Sequence, residues 1–405
     1  MRVMVALENR FVKTQNGNVY STTVCDYAFW SRYLQVFDDV IVFARVEPIS
    51  EQELDKSRSD GPNVAFKALP AYVGPWQYLK QHLRLRALAK QATEEADAFI
   101  LRVPGRIGTL LWHELVKRRI PYGVEVMGSS VDSAKAAGAN LLLRGILRLI
   151  RRQKQQCQNS SAALYITESY LQSLYPPGGW SIVCSDVDLL DESIIDDNRL
   201  RQKHASLKDA VYSRRPFRVC HAGTMAALYK GQDVLIEAIS LCCSEGQNIE
   251  LTLLGDGRHR HYFEDKARKL RIAQCVHFLG MLPPGIQVRA QLDRADLFVF
   301  PSLAEGQGRI LIEAMARGLP CIGSRVGGIP ELLSEEDLVS SGDAVALARK
   351  IGSVRADEPR LLRMSRQNLE KAKEFHIDKL NPRRLEFYRK VAEISKTGTD
   401  TGSPQ

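Results

Sequence analysis

Two successive runs of short apolar segments, each segment separated from the next by a helical pattern, constrain this chain more than any other feature. The first run comprises Arg2 to Leu7, Val40 to Ala44, Val64 to Leu69, Ala98 to Val103, Tyr122 to Val126 and Ala163 to Thr167. The second comprises Arg218 to Ala222, Glu250 to Leu254, Val276 to Leu279, Asp296 to Phe300 and Cys321 to Gly323, each followed by a glycine-bearing turn and a helix. Such alternation is the signature of a parallel α/β sheet, since parallel strands need a crossover between them. Between the runs, Asp191 to Pro216 is charged and poor in apolar residues, and reads as a linker with a surface helix. The expected layout is a first domain at 1–190, a linker at 191–216 and a second domain at 217–381. After a break at Asn381 comes a helix at about 382–395 that can pack back on the first domain, and then a disordered tail at 396–405. A chain of 405 residues also exceeds what one hydrophobic core usually organises.

The bulk numbers exclude several classes. Hydrophobic residues make up 44% and charged residues 25%, close to a soluble enzyme and far from a disordered chain. No apolar run is long enough to span a bilayer, and Met1 to Arg10 does not read as a secretory signal, so a cytoplasmic protein is expected. The cysteines, Cys25, Cys157, Cys184, Cys220, Cys242, Cys243, Cys275 and Cys321, show no C-x-x-C spacing and read as reduced, mostly buried thiols. A net charge of +9 calls for a polyanionic partner, which is nucleic acid, an anionic membrane surface or the phosphates of a substrate.

Ligands of open α/β sheets sit beyond the carboxyl ends of strands, so the turns of the second run are where chemistry is sought. The most informative stretch is AEGQGRILIEAMARGLP, Ala304 to Pro320, between the strands ADLFVFPS and PCIGS. Gly306 and Gly308 let the backbone approach a ligand closely. The helix starting near Arg309 offers unpaired N–H groups and a positive dipole end to a phosphate. Glu305 lies in the turn and Glu313 within the helix, so the two carboxylates can address different parts of one elongated ligand. Alone, a G-x-G turn with two surface glutamates is not specific.

The two glutamates separated by seven residues, the preceding FPS, the following EAMARGLP and then VGGIPE together resemble the donor-site signature of glycosyltransferase family four. The likeness covers roughly Arg218 to Glu374. It implies an α/β, GT-B fold in which two Rossmann-like domains face each other across a central cleft. It also implies that Glu305 contacts a donor sugar, that Glu313 binds the nucleotide ribose, and that the backbone of Gly306, Gln307 and Gly308 receives sugar and diphosphate. Upstream, VCHAGTMAALYKGQDVLIEAI resembles the family's glycine turn, at Gly223, and its lysine-glycine step, which casts Lys230 as the diphosphate-binding cation. Where the family usually has an arginine six residues before that lysine, this chain has Thr224. Arg309 and Arg325 are candidates to replace it. LLGDGRHR, with Gly255 and Arg258, and the strand end at Leu279 and Gly280 fall where the family holds its nucleotide base.

In the first half, ENRFVKTQNGNVYS, DYAFWSRYLQVFDDVIVFARV, LRVPGRIG and PYGVEVMGSS resemble bacterial exopolysaccharide and O-antigen glycosyltransferases. Many relatives carry a histidine near the reacting carbon; here the comparable strand end reads Glu125, Val126, Met127, Gly128. Asn16, Gly17, Arg102, Glu125 and Gly128 are the acceptor-facing or cleft candidates, with Glu125 the one plausible carboxylate for an acceptor hydroxyl. A structural role for each is an equal alternative.

The resemblance implies a retaining, metal-independent transfer of a hexosyl unit with no cofactor. The donor is a nucleotide diphosphate sugar and the acceptor a glycan or undecaprenyl-linked glycan, in cell-surface polysaccharide biosynthesis. The D-x-D of Asp186 and Asp188 lies outside any glycine-turn context, and a capping or surface role is the commoner explanation. Leu141 to Lys154 forms a basic segment without an acidic residue, which can lie on an anionic membrane at the inner face of the plasma membrane, although a solvated helix face is the commoner origin. Two rivals are a nucleotide-sugar epimerase of GT-B fold and a basic nucleic-acid-binding protein. The second lacks a basic stripe interleaved with exposed aromatics, so no nucleic-acid partner is expected.

Overall fold

The computed structural model describes residues 1–21, 25–50, 57–132 and 143–400, with the backbone alone for Pro75, Leu143, Arg144, Ile146 and 398–400. Its first sheet is built from β1 (Arg2–Lys13), β2 (Val19–Ser21), β3 (Asp39–Pro48), β4 (Val64–Leu69), β5 (Ala98–Val103), β6 (Gly123–Val126), β7 (Ala162–Tyr165) and β8 (Trp180–Val183). Its order is β4-β3-β1-β5-β6-β7-β8, all parallel, with β2 added antiparallel to the far end of β1. The helices of this half are α1 (Tyr27–Ser31), α2 (Gly74–Ala92), α3 (Arg106–Lys117), α4 (Leu143–Gln158) and α5 (Tyr170–Leu174). Near-continuous apolar runs such as Val3 to Leu7 and Ala98 to Leu101 are buried, as strands covered on both faces require.

The second sheet contains β9 (Phe217–Ala222), β10 (Ile249–Leu254), β11 (Val276–Gly280), β12 (Leu297–Phe300), β13 (Cys321–Ser324) and β14 (Leu338–Val339). Its helices are α6 (Asp197–Tyr212), α7 (Gln232–Ser244), α8 (Arg260–Lys269), α9 (Ile286–Arg294), α10 (Arg309–Ala316), α11 (Ala344–Arg355), α12 (Glu358–Ala372) and α13 (Ile377–Asp400). The parallel order β11-β10-β9-β12-β13-β14 reverses direction between β9 and β12. That reversal is a topological switch point, where the loops leaving two neighbouring strands part and open a crevice. Two Rossmann-like α/β domains therefore make up the chain.

Several expectations are corrected. β1 continues six residues past Leu7 to form a hairpin with β2, through a register shift between Ala6 and Arg10. Glu8, Asn9 and Arg10 interrupt the apolar pattern and conceal it. Within the linker, α6 packs against α12, and Lys203 donates to the carbonyl oxygens of Asp293 (2.5 Å) and Ala295 (3.0 Å), which ties this helix to the second domain. The last helix has no break at Asn381. It starts at Ile377 and carries Pro382 inside, running through Asp400 across the first half of the expected disordered tail; residues 401–405 lie outside the described ones. Pro382 removes one helical N–H. The turn before it is held from outside, where the Ile377 N–H donates to the Leu189 carbonyl at 2.9 Å. Phe387, Tyr388 and Val391 of this helix are buried in the core beneath the first sheet, so the chain ends by crossing back to its first domain.

Candidate functional site

At the switch point the lysine loop and the acid loop are locked together. Gly231, left-handed at φ 74°, starts α7, and a Cβ there would collide with the carbonyl oxygen of Pro301 at the end of β12. The Leu303 N–H donates to the Tyr229 carbonyl at 2.7 Å. These contacts aim Lys230 at Glu305, whose carboxylate accepts from its ammonium at 2.6 Å. The ammonium also sits 5.2 Å above the Phe300 ring. From behind, the V-G-G turn braces the acid loop. The Gly328 N–H donates to the Gly306 carbonyl at 2.8 Å, and Gly327, at φ 58°, lies so close to the Glu305 carbonyl that no side chain fits. Gly308, also left-handed, caps the start of α10 and leaves that end without a side-chain cap.

Glu313, one turn into α10, makes no ion pair or hydrogen bond with any described residue. Burial pushes its carboxyl pKa up, while Arg309 and Arg289 pull it down. Its acceptors stay free to receive hydroxyl donors. The glycine turns of β9, β10 and β11 converge on the same crevice: Gly223 donates to Leu254 (2.9 Å), and Gly255 donates to Gly280 (2.8 Å) beside Leu279, whose side chain is exposed. The Thr224 hydroxyl accepts from the Ala226 N–H at 3.1 Å and serves its own turn. Arg325 is exposed and pairs with Glu335, whereas Arg309, at the start of α10, is exposed with no ion pair among the described residues. Arg258 is held against His259.

Sequence reasoning passed over His221. It is fully buried in β9 beside the rings of Phe298 and Phe300, its Nδ1 2.9 Å from the Val299 carbonyl and its Nε2 without a partner beneath Gly223 and Lys230. Burial pushes its pKa down to about 4. A histidine depressed in the folded state adds stability above the unfolded value near 6.5, and that stability is lost as pH falls toward 4, because the unfolded chain takes up the proton first. The full loss is on the order of 3 kcal/mol. His221→Asn keeps a donor for Val299, and its melting temperature is expected to fall less than that of the wild type between pH 6.5 and 4. Parallel curves would show that His221 does not cause the acid sensitivity.

The same loops join the two domains. Gln307 is buried; its amide donates to the Ile166 carbonyl (2.5 Å) and accepts from the Ser185 hydroxyl (2.5 Å), both in the first half of the chain. Gln307 therefore anchors the acid loop through its side chain, which the sequence pattern did not distinguish from a backbone contact. Glu331, the last residue of V-G-G-I-P-E, accepts from the backbone N–H groups of Glu168 (2.6 Å), Ser169 (2.9 Å) and Tyr170 (2.7 Å) at the start of α5. Gly306 faces the Met127 carbonyl and Gly128, which brings the acid loop against the end of β6.

The first-domain candidates divide. Gly128 is buried, its carbonyl accepting from Gln153 of α4 at 2.6 Å, at the cleft wall. Asn16 and Gly17 form the β1–β2 hairpin turn. Glu125, only 3% exposed, pairs with Arg102 at 2.9 Å and accepts from the Tyr33 hydroxyl at 2.8 Å. Burial opposes the Arg102 charge, yet Glu125 beside it leaves the guanidinium pKa above its ordinary value. Both carboxylate oxygens of Glu125 are thus engaged within the protein. Asp188 of the D-x-D is held by Arg384 of α13 at 2.7 Å.

Residues 216–357 match the family described as Glycosyl transferases group 1. The fold is thus GT-B, and its second domain is similar to the group 1 glycosyltransferases, which supports a glycosyltransferase akin to family four. The chain is 28% identical to protein CapJ of Staphylococcus aureus over 84% of its own length and 83% of CapJ. It is 30% identical to the amylovoran biosynthesis glycosyltransferase AmsK of Erwinia amylovora over 46% of each chain. The crystal structure of Anabaena HepE in complex with UDP and glucose superposes with a TM-score of 0.67 at 17% identity, covering 95% of this chain and 98% of that one. The protein is thereby related to enzymes of polysaccharide biosynthesis.

Proposed function

We propose that this chain is a retaining, metal-independent glycosyltransferase. It moves a hexosyl unit from a nucleotide diphosphate sugar to a glycan or lipid-linked glycan in cell-surface polysaccharide biosynthesis, at the cytoplasmic face of the membrane. The observation that carries the reading is the Lys230–Glu305 pair, held between glycine turns at the switch point in the loop whose Gly306 meets Gly128 of the first domain. A lysine ammonium next to the unpaired N–H groups of α10 forms a cationic pocket for a diphosphate. Glu305 turns to the sugar hydroxyls once phosphate engages the lysine, and Glu313, with its acceptors free, takes the ribose. The Gly306–Gly308 backbone receives the sugar and diphosphate, and the turns of Gly223, Gly255 and Gly280 enclose the base. HepE was crystallised with UDP, which supports a nucleotide diphosphate donor here.

In the reaction the bond from the sugar carbon to the diphosphate oxygen breaks, and a bond to the acceptor oxygen forms on the same face. The acceptor proton passes to the departing diphosphate. Positive charge grows on the sugar and negative charge on the leaving group, so Lys230 and the Gly306–Gly308 amides act mainly in the transition state. The test is mass spectrometry of nucleotide sugars incubated with and without lipid-linked glycan acceptors, followed by anomeric assignment of the product and a repeat under chelator. Glycosylated acceptor with the donor's anomeric configuration and undiminished rate in chelator is expected. Formation of an epimeric nucleotide sugar of unchanged mass without acceptor, read from the sugar's proton NMR couplings, would instead show an epimerase, and an inverted product would end the retaining assignment.

A further inference from the structure

We propose that the outer face of α2 and α4 is a docking surface for an anionic lipid bilayer, with Trp76, Leu79 and Leu83 entering the headgroup region and the surrounding arginines and lysines meeting lipid phosphates. Helix α2 is apolar on two opposite sides. One side, with Leu85, Ala89 and Ala92, is buried in the core under the first sheet. The other presents Trp76, Leu79 and Leu83 at helical spacing, 78%, 64% and 81% exposed. A globular helix has no packing reason to carry a second apolar stripe, and exposed stripes of this kind mark interaction sites.

The chemistry around the stripe selects the partner. Neither α2 nor the described part of α4 contains an acidic residue. Lys80, Arg84 and Lys90 of α2 and Arg148, Arg151 and Lys154 of α4 form no ion pair with any described residue, so their charge is open to an outside partner. Both helices flank α3: Arg86 from one and Arg152 from the other lie close enough to His113 of α3 to act on its charge. Leu147 of α4 is exposed as well. Apolar side chains with a tryptophan, rimmed by lysine and arginine, match a lipid–water interface, where aromatic rings and apolar chains sit below a layer of phosphates. A second copy of the chain would bring like charges together. The inference deepens the membrane part of the reading above by assigning the surface, and it extends the basic segment read at Leu141 to Lys154 to a helix distant in sequence; Leu141 and Leu142 lie outside the described residues.

The test is co-sedimentation of the full chain with vesicles of phosphatidylglycerol and phosphatidylethanolamine, compared with phosphatidylcholine vesicles. Binding to the anionic vesicles that weakens with salt is expected. The triple variant Trp76→Ala, Leu79→Ala, Leu83→Ala is expected to bind them at least about tenfold more weakly. The variant Lys80→Gln, Arg84→Gln, Arg148→Gln, Arg151→Gln is expected to lose the preference for anionic lipid. Both variants should melt like the wild type and bind nucleotide diphosphate equally well, which separates failure of this proposal from failure of the donor-site reading. Wild-type binding that ignores lipid charge, undiminished binding by the triple variant, or a wild-type dimer that the triple variant converts to a monomer would each overturn it.

Discussion

Replacing Lys230 by alanine is expected to lower kcat by about a hundredfold to a thousandfold, the range seen when one preorganised charge-stabilising group is removed from an active site. The lysine is held by the Gly231 turn against Pro301, above the Phe300 ring and 2.6 Å from Glu305, so its position is set before a donor arrives. In the proposed reaction, an ammonium fixed in advance stabilises the departing diphosphate without reorganising. Glu305→Ala is expected to cost a similar factor. Because the two side chains face each other, the double variant should lose little more than the worse single one. Each side chain is 14% exposed and sits in a loop, so neither change empties the core, and circular dichroism melts should match the wild type. Steady-state turnover of the three variants checks this. Near wild-type rates in both single variants would remove the donor site from the switch point.

The second large effect concerns Glu125. Truncating it to alanine strands the Arg102 guanidinium and the Tyr33 hydroxyl in the interior, and breaking a buried pair in this way is expected to destabilise the fold by about 3–5 kcal/mol. Urea denaturation measures that loss. The double variant Glu125→Leu, Arg102→Met, which removes both charges, should recover most of it. A catalytic carboxylate predicts the opposite profile, with turnover lost and stability kept. The neighbours favour the structural role: Tyr33 stacks on Tyr388 of α13 at 4.4 Å, and Arg384 of the same helix holds Asp188. The charged cluster therefore fastens the C-terminal helix to the first domain.

Much of this architecture was legible in the order of residues. Each apolar segment of the second run, such as Glu250 to Leu254, coincides with a strand to within a residue or two, since a strand covered on both faces needs an apolar run of that length. The glycine turns and the E-x7-E spacing were equally visible, because backbone conformation and helix geometry are local. Short or irregular elements were not: β2 has three residues and β14 two, and the polar residues Glu8 to Arg10 hid the extension of β1. The start of α13 was misplaced because Pro382 is a local stop signal, overridden by contacts from Leu189, nearly two hundred residues away in sequence.

The sequence by itself determined where Lys230, Glu305, Glu313 and their glycines lie, the residues proposed for donor chemistry, since these depend on local turns and on spacing along one helix. Only the tertiary structure decided which of the first-domain candidates keep free functional groups. It spent Glu125 on Arg102 and Tyr33, turned the Gln307 side chain into an interdomain anchor, and set Glu331 at the start of α5. It also left a second apolar stripe of α2 facing outward. The reason is physical: spacing fixes what lies on one element, whereas pairing and burial depend on which distant elements the fold brings together.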